Sequence, residues 1–120
     1  MKFPSLNEYI NAERRHRMIA AKMKKDFTRL VESAVILHDE MEKHKTGKGL
    51  QIKSFPVAVR FVVHEANNRR DIDNVSSMVA KFSLDGMVQA GLLPDDSQKY
   101  VNKIECDLVV DDKVGVEILI

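Results

Sequence analysis

Several residue types that define common protein classes are scarce in this chain. One cysteine, Cys106, among 120 residues cannot form an internal disulfide and falls far short of a zinc site. No apolar run approaches the ~18 residues of a membrane span. The first residues become charged before an apolar signal core could form, which argues against secretion. These features predict a cytoplasmic protein without a membrane segment.

Glycine and proline are also rare, and neither occurs between Ser5 and Thr46. Ser5 and Glu8 have the S-x-x-E spacing of a capping box, which indicates a helix start. The interval therefore predicts a helical region over about 5–44, with or without a break near 20–22. Apolar residues recur in it at three- and four-residue steps, which predicts one buried stripe: Phe27, Leu30, Val31, Ala34, Leu37 and Met41.

The rest of the chain predicts a small sheet. β-Branched and alternating stretches indicate strands, and an apolar helical pattern that stops at Gly91 indicates a second helix. Residues 111–113 are expected to form a hairpin turn. The order helix, strand, helix, strand, strand predicts one α+β domain, a small mixed sheet packed against helices. The domain spans 1–120, its sheet and acidic region spans about 55–120, and its later elements are expected at 55–65, 74–90, 100–110 and 114–120.

The net charge of +1 conceals a division between the halves of the chain. Residues 1–60 carry a net charge of +6, and residues 61–120 carry −5. The cations of the first helix could form a solvated face or contact the DNA backbone, which proteins read by charge. A membrane-surface helix is disfavoured because an aromatic-rich apolar face is lacking. The candidate DNA-binding cations are Arg14, Arg15, Arg17, Lys22, Lys24 and Lys25.

Two short clusters of aspartates flank the second predicted helix. Asp71 and Asp73 precede it, while Asp95 and Asp96 follow Pro94. Such residues also cap helices and form turns, and Asp73 or its neighbour Asn74 is a plausible N-cap. Grouped carboxylates repel one another unless a cation lies among them, and Mg²⁺ prefers oxygen ligands. The clusters therefore predict either a magnesium site or ordinary turn chemistry.

The relative position of the two clusters depends on the strand order. In extended backbone Asp71 and Asp73 would leave the same face. If the strand after the helix runs parallel to the first, Asp95 and Asp96 lie at the opposite end of the sheet. They would then reach the first pair only from a second subunit, whereas an antiparallel neighbour would allow one chain to form the site. Arg69 and Arg70 fit as phosphate-holding residues, since a guanidinium fork matches phosphate geometry.

The motifs "RRDIDN", "LDGM" and "AGLLPDDSQ", in this order over residues 69–98, resemble the RusA family of Holliday-junction resolvases of phages and prophages. The opening "PSLNEYINAERR" and the closing "VGVEILI" are similar to the ends of these proteins. The resemblance implies a homodimeric endonuclease that nicks four-way DNA junctions in DNA recombination and repair. It implies Mg²⁺, with Mn²⁺ as a substitute, and no organic cofactor.

The same resemblance assigns roles to individual residues. Asp71, Asp73 and Asp96 match the metal-binding acids, and Asp95 matches the acid beside them. Lys81, four residues before the aspartate of "LDGM", matches the catalytic lysine. Arg70 matches the arginine directly before the first acid.

One departure from the family pattern concerns this lysine. The chain has about one helical turn more between Asp73 and Lys81, which moves the lysine ~6 Å along the helix axis. A competing alignment places Ser77 at the lysine position. The offset favours a non-catalytic module that binds branched DNA, whereas retention of every acid position favours an enzyme. A nuclease that acts on other branched DNA remains a further alternative.

Overall fold

The computed structural model describes residues 17–120, which form two helices and three strands. The elements are α1 (Arg17–Thr46), β1 (Val57–Glu65), α2 (Ile72–Gln89), β2 (Val101–Val110) and β3 (Gly115–Leu119). Their order confirms the predicted α+β class. Helix α1 passes through residues 20–22 without a break. Neither helix in the described part of the chain is long and apolar enough to cross a membrane.

The strands form a mixed sheet in the order β2-β1-β3. Strand β1 pairs parallel with β2 and antiparallel with β3. The predicted hairpin at 111–113 is therefore wrong, because β2 and β3 lie on opposite sides of β1. Residues 111–114 instead cross the end of β1, where the Asp111 amide donates to the Glu65 carbonyl at 3.0 Å. The two strand spacings to be crossed are about 10 Å, a distance that this short segment can span.

Strand β1 places alternate residues on the two faces of the sheet. Val59, Phe61 and Val63 are buried and face α2, which contributes Val79 and Phe82 to the same core. Burial of each such side chain stabilises the fold by about 1.5–3 kcal/mol. The outer face of the sheet carries charged side chains instead, so the core lies on one side only. Glu65 continues the buried series and is itself buried.

Helix α1 packs on α2 at a close crossing. A Cβ atom on Gly86 would lie 2.6 Å from Val31 Cβ and 2.8 Å from the Thr28 carbonyl oxygen, so only glycine allows this approach. Next to the crossing, the rings of Phe27 and Phe82 stack with centroids 6.0 Å apart. The crossing fixes α1 beside the helix that connects the two aspartate clusters.

The predicted buried stripe of α1 is only partly correct. Val31 is buried and Phe27 is partly buried. Both contact α2, and the polar residue Thr28 is buried beside them. The rest of the stripe remains at the surface: Leu30, Leu37 and Met41 are 45%, 63% and 51% exposed, and Ala34 is also exposed.

Helix α2 begins earlier than the sequence suggested. Its N-cap is Asp71, and neither Asp73 nor Asn74 has that position. Because Asp73 already lies in the first helical turn, the expected shared face of two extended residues is not formed. The C-terminal prediction is confirmed: Gly91 adopts φ +82°, and the Leu92 amide donates to the Met87 carbonyl at 3.0 Å.

Candidate metal and DNA-binding site

Asp71 and Asp73 lie at the start of α2, beyond the C-terminal end of β1, and both are exposed. The N-terminus of a helix is a favourable place for negative charge. The Ser77 hydroxyl donates to the Asp73 carbonyl at 2.7 Å and so binds its backbone and not its carboxylate. The Asn74 amide donates to Asp73 Oδ1 at 3.0 Å. This end of α2 thus presents two carboxylates to solvent.

Asp95 and Asp96 lie in the exposed turn between α2 and β2. The Asp96 amide donates to Asp95 Oδ1 at 2.8 Å. This hydrogen bond, followed by one from Ser97, lowers the pKa of Asp95. Asp95 therefore serves as a turn-forming residue as well as a candidate ligand.

The parallel pairing of β1 and β2 places the two clusters at opposite ends of the sheet. They are connected by the 18 residues of α2, a length of about 27 Å at 1.5 Å per residue. Within residues 17–120, no three histidine, cysteine or acidic side chains come close enough to hold a metal ion. A single chain does not bring Asp96 to Asp71 and Asp73. The alternative in which β2 runs antiparallel to β1, so that one chain forms the whole site, is thereby excluded.

Lys81 lies on the exposed stripe of α2 that begins with Asp73. Ser77 stands one turn from Asp73 and Lys81 two turns from it, in an uninterrupted helix. Two turns correspond to about 12 Å along the axis. The additional turn therefore extends α2 without a bulge, and a serine occupies the position nearer to the acids.

The two predicted phosphate-holding arginines have different environments. Arg69 is exposed, and its amide donates to Asn67 Oδ1 at 3.0 Å. Arg70 points inward, where its Nε donates to Glu65 Oε1 at 2.7 Å. Sequence reasoning missed Glu65, although its position in the inward-facing series of β1 was a readable signal for a buried acid.

A histidine cluster on the outer face of the sheet was also missed. His64 Nδ1 lies 2.6 Å from Asp111 Oδ2, and His64 Nε2 lies 2.5 Å from Glu117 Oε1. The hydrogen bond to Glu117, followed by that to Asp111, raises the pKa of His64. Opposite edges of the ring contact the two carboxylates, so His64 bridges them. Within residues 17–120, these three side chains form no metal-binding group. His64 lies 47 and 53 residues before its two partners, so only strand pairing reveals these contacts.

The basic helix retains exposed cations in its described part. Lys22 and Lys25 are exposed and lie three residues apart, on one side of α1. Lys24 Nζ lies 3.9 Å from Asp85 Oδ2 of α2, so this lysine is directed toward the protein. Arg17 is the first residue of α1. The predicted DNA contacts of Arg14 and Arg15 lie outside the described residues.

One cleft in the described part of the chain does not contain the acids. It has a volume of about 760 Å³ and lies between α1, the segment before β1 and β3. Its walls are mostly apolar, with Val35, Ile52 and Ile118 among them. The aspartates instead lie on open surface, an arrangement that suits a macromolecular substrate better than a small one.

Comparisons with known proteins identify a family for the chain. The family model described as endodeoxyribonuclease RusA matches residues 3–120. No curated protein matches the chain, and no solved structure does. The family match includes all of the sites described above.

Proposed function

This chain belongs to the RusA family of endodeoxyribonucleases, and we propose that it is a Mg²⁺-dependent endonuclease that nicks four-way DNA junctions. The observation that carries the proposal is the presence of exposed carboxylates at both ends of α2, with Asp71 and Asp73 at one end and Asp96 at the other. Oxygen donors of this kind suit Mg²⁺ and also Mn²⁺. A role in DNA recombination and repair and a cytoplasmic location accompany the proposal.

The active form in this proposal is a homodimer with two composite sites. The length of α2 separates the acid pairs within one chain. A two-fold axis across α2 would bring Asp71 and Asp73 of one copy to Asp96 of the partner subunit. Each dimer would then have two equivalent sites. Two symmetric sites suit a four-way junction, which offers two symmetric phosphodiester bonds.

Within each site, the residues have distinct roles. Asp71, Asp73 and Asp96 would hold the ion, with Asp95 as an additional candidate ligand. When bound, Mg²⁺ would neutralise negative charge that builds on the phosphate during hydrolysis. The exposed Arg69 would hold phosphate oxygens, whereas Arg70 is directed inward to Glu65. Lys81 or Arg69 would stabilise the developing negative charge.

A second candidate function is a module that binds branched DNA without cleaving it. The observation that favours it is the two-turn separation of Lys81 from Asp73, with Ser77 in between. Cleavage by the wild-type protein would by itself exclude this module, and a Lys81→Met variant would then test whether Lys81 takes part in catalysis. We expect this variant to nick junctions at least tenfold more slowly, an effect typical for loss of a group that stabilises transition-state charge.

The experiment that tests the proposed function is cleavage of a labelled synthetic four-way junction beside linear duplex and a flap substrate. We expect paired nicks in the junction with Mg²⁺ or Mn²⁺, none with EDTA, and no cleavage of linear DNA. Tight junction binding without nicks would support the non-catalytic module. Faster cleavage of the flap would assign the enzyme to another branched substrate.

A further inference from the structure

A buried ion pair lies directly before the proposed metal acids. The side chains of Glu65 and Arg70 are only 6% and 14% exposed. Glu65 Oε1 accepts from Arg70 Nε at 2.7 Å and lies 2.7 Å from Arg70 Nη2. Glu65 ends β1 and Arg70 immediately precedes Asp71. The pair therefore closes the exposed segment 66–69 against the sheet.

The same glutamate is anchored through its backbone. Its carbonyl accepts from the Asp111 amide at 3.0 Å, and the Asp111 carboxylate lies 2.6 Å from His64 Nδ1. Glu65 thus stands where β1, the segment leading to α2 and the crossing to β3 meet. A shift of its carboxylate would move Arg70 and, through the next peptide bond, Asp71. The Asp71 carbonyl in turn opens α2 by accepting from the Val75 amide at 3.2 Å.

We propose that Glu65 is a positioning residue of the catalytic site: it holds Arg70 and thereby fixes the direction in which Asp71 and Asp73 present their carboxylates. The inference rests on the proposed function. A buried ion pair is often no more stabilising than an apolar pair of similar volume, so stability alone does not account for one. Its location one residue from the first acid connects it to the site.

The test is a double-mutant cycle of Glu65→Gln and Arg70→Gln. Three quantities are measured. Junction nicking gives kcat and KM, and the electron paramagnetic resonance signal of unbound Mn²⁺ gives the affinity for Mn²⁺ without DNA. We expect Glu65→Gln to lower kcat and Mn²⁺ affinity about 10–100-fold, the usual effect of removing a partner that orients a metal ligand. The KM for the junction should change much less. In the Arg70→Gln background, Glu65→Gln should have little further effect, because it acts through Arg70.

The matched control is Asp107→Asn, which removes the acid of the exposed Arg60–Asp107 pair on the outer face of the sheet. It should leave kcat and Mn²⁺ affinity unchanged. A Glu65→Gln protein with wild-type kcat and Mn²⁺ affinity, whatever its melting temperature, would overturn the inference. Equal losses in the presence and absence of Arg70 would overturn it too.

A second variant covers the case in which Glu65→Gln does not fold. Glu65→Asp keeps the charge but shortens the side chain, so Arg70 must move to retain the pair. We expect a folded protein with reduced kcat and Mn²⁺ affinity, and wild-type values would overturn the inference. A wild-type protein that neither nicks junctions nor binds Mn²⁺ would overturn the proposed function together with this inference, whereas wild-type nicking with unaffected Glu65 variants overturns this inference alone.

Discussion

Among single residues, Asp73 carries the charge on which the proposed chemistry depends most directly. It is exposed in the first turn of α2. Asp73→Asn keeps the shape of the side chain and removes its negative charge. We expect this variant to lose junction cleavage with Mg²⁺, because a ligand charge is missing, and to retain junction affinity in EDTA. Nicking assays and gel-shift titrations measure the two effects.

The control for this prediction is Asp112→Asn, which neutralises an exposed acid in the crossing between β2 and β3. It should cleave at the wild-type rate. Loss of both cleavage and binding in Asp73→Asn would show that Asp73 shapes the DNA interface and is not specific to catalysis.

His64 provides a prediction about pH. Its pKa is raised above 6.5 by Glu117 first and Asp111 second. Because the pKa of His64 is higher in the folded state than in the unfolded chain, the protonated ring stabilises the fold. This stabilisation is complete below the unfolded-state pKa of 6.5 and is lost as the pH rises through the folded-state pKa. We therefore expect the difference in melting temperature between wild type and His64→Gln to be larger at pH 6 than at pH 9. A melting-temperature difference that does not change with pH would contradict the contacts of protonated His64 with Glu117 and Asp111.

The sequence predicts some of the candidate site residues, but it does not predict the contacts of His64. Asp71, Asp73, Asp95 and Asp96 stand in short local motifs, so spacing alone identified them. The partners of His64 come from other strands or from beyond a strand end, so local spacing could not reveal them. Tertiary contacts of this kind depend on strand order, which a local pattern does not encode.

Among the elements, the crossing of α1 and α2 depends on the absence of a side chain at Gly86. Gly86→Ala would push a methyl group into Val31 and the Thr28 backbone. We expect a loss of about 1–3 kcal/mol in the free energy of unfolding, as is usual for overpacking, measured by urea denaturation. Unchanged stability would mean that the helices lie further apart than described.

The control on the same helix is Ser83→Ala, three residues before Gly86. Ser83 is fully buried, and its hydroxyl has no hydrogen-bond partner in the described structure. Removal of an unsatisfied polar group should be neutral or stabilising. If Gly86→Ala destabilises the protein and Ser83→Ala does not, the cause is packing against α1 and not a general sensitivity of α2 to substitution.

The element pattern shows where sequence reasoning reaches its limit. Alternation correctly identified β1, and Gly91 correctly ended α2. Alternation does not choose partners, however, so the hairpin between β2 and β3 was predicted where a crossing occurs. The apolar stripe of α1 likewise predicts a buried face, but Leu37 and Met41 are exposed. A helical period shows that residues share a face, but it does not show whether another element covers that face.

For the whole molecule, the division of charge predicts how binding responds to salt. Lys22 and Lys25 are exposed on the basic part of α1. If both contact phosphates, changing both to Gln should reduce the slope of log K against log salt concentration by about 2. Lys45, exposed in the last turn of the same helix, provides the control, and Lys45→Gln should leave the slope unchanged. An unaltered slope in the double variant would show that this part of α1 does not contact DNA.

The whole-molecule account depends most on the composite site. Asp73 and Asp96 lie at opposite ends of α2 in one chain, so the proposed site draws on two subunits. Asp73→Asn and Asp96→Asn homodimers should both be inactive. A mixed dimer would place both substitutions in one site and leave the other intact.

The most direct measurement is therefore junction nicking by the two variants, first separately and then after they are mixed under conditions that exchange subunits. The account predicts no nicking by either alone and recovery in the mixture of about a quarter of the wild-type sites, the value for random exchange in a two-fold dimer. Inactivity of the mixture, with subunit exchange demonstrated by differently tagged chains, would contradict a site shared between subunits.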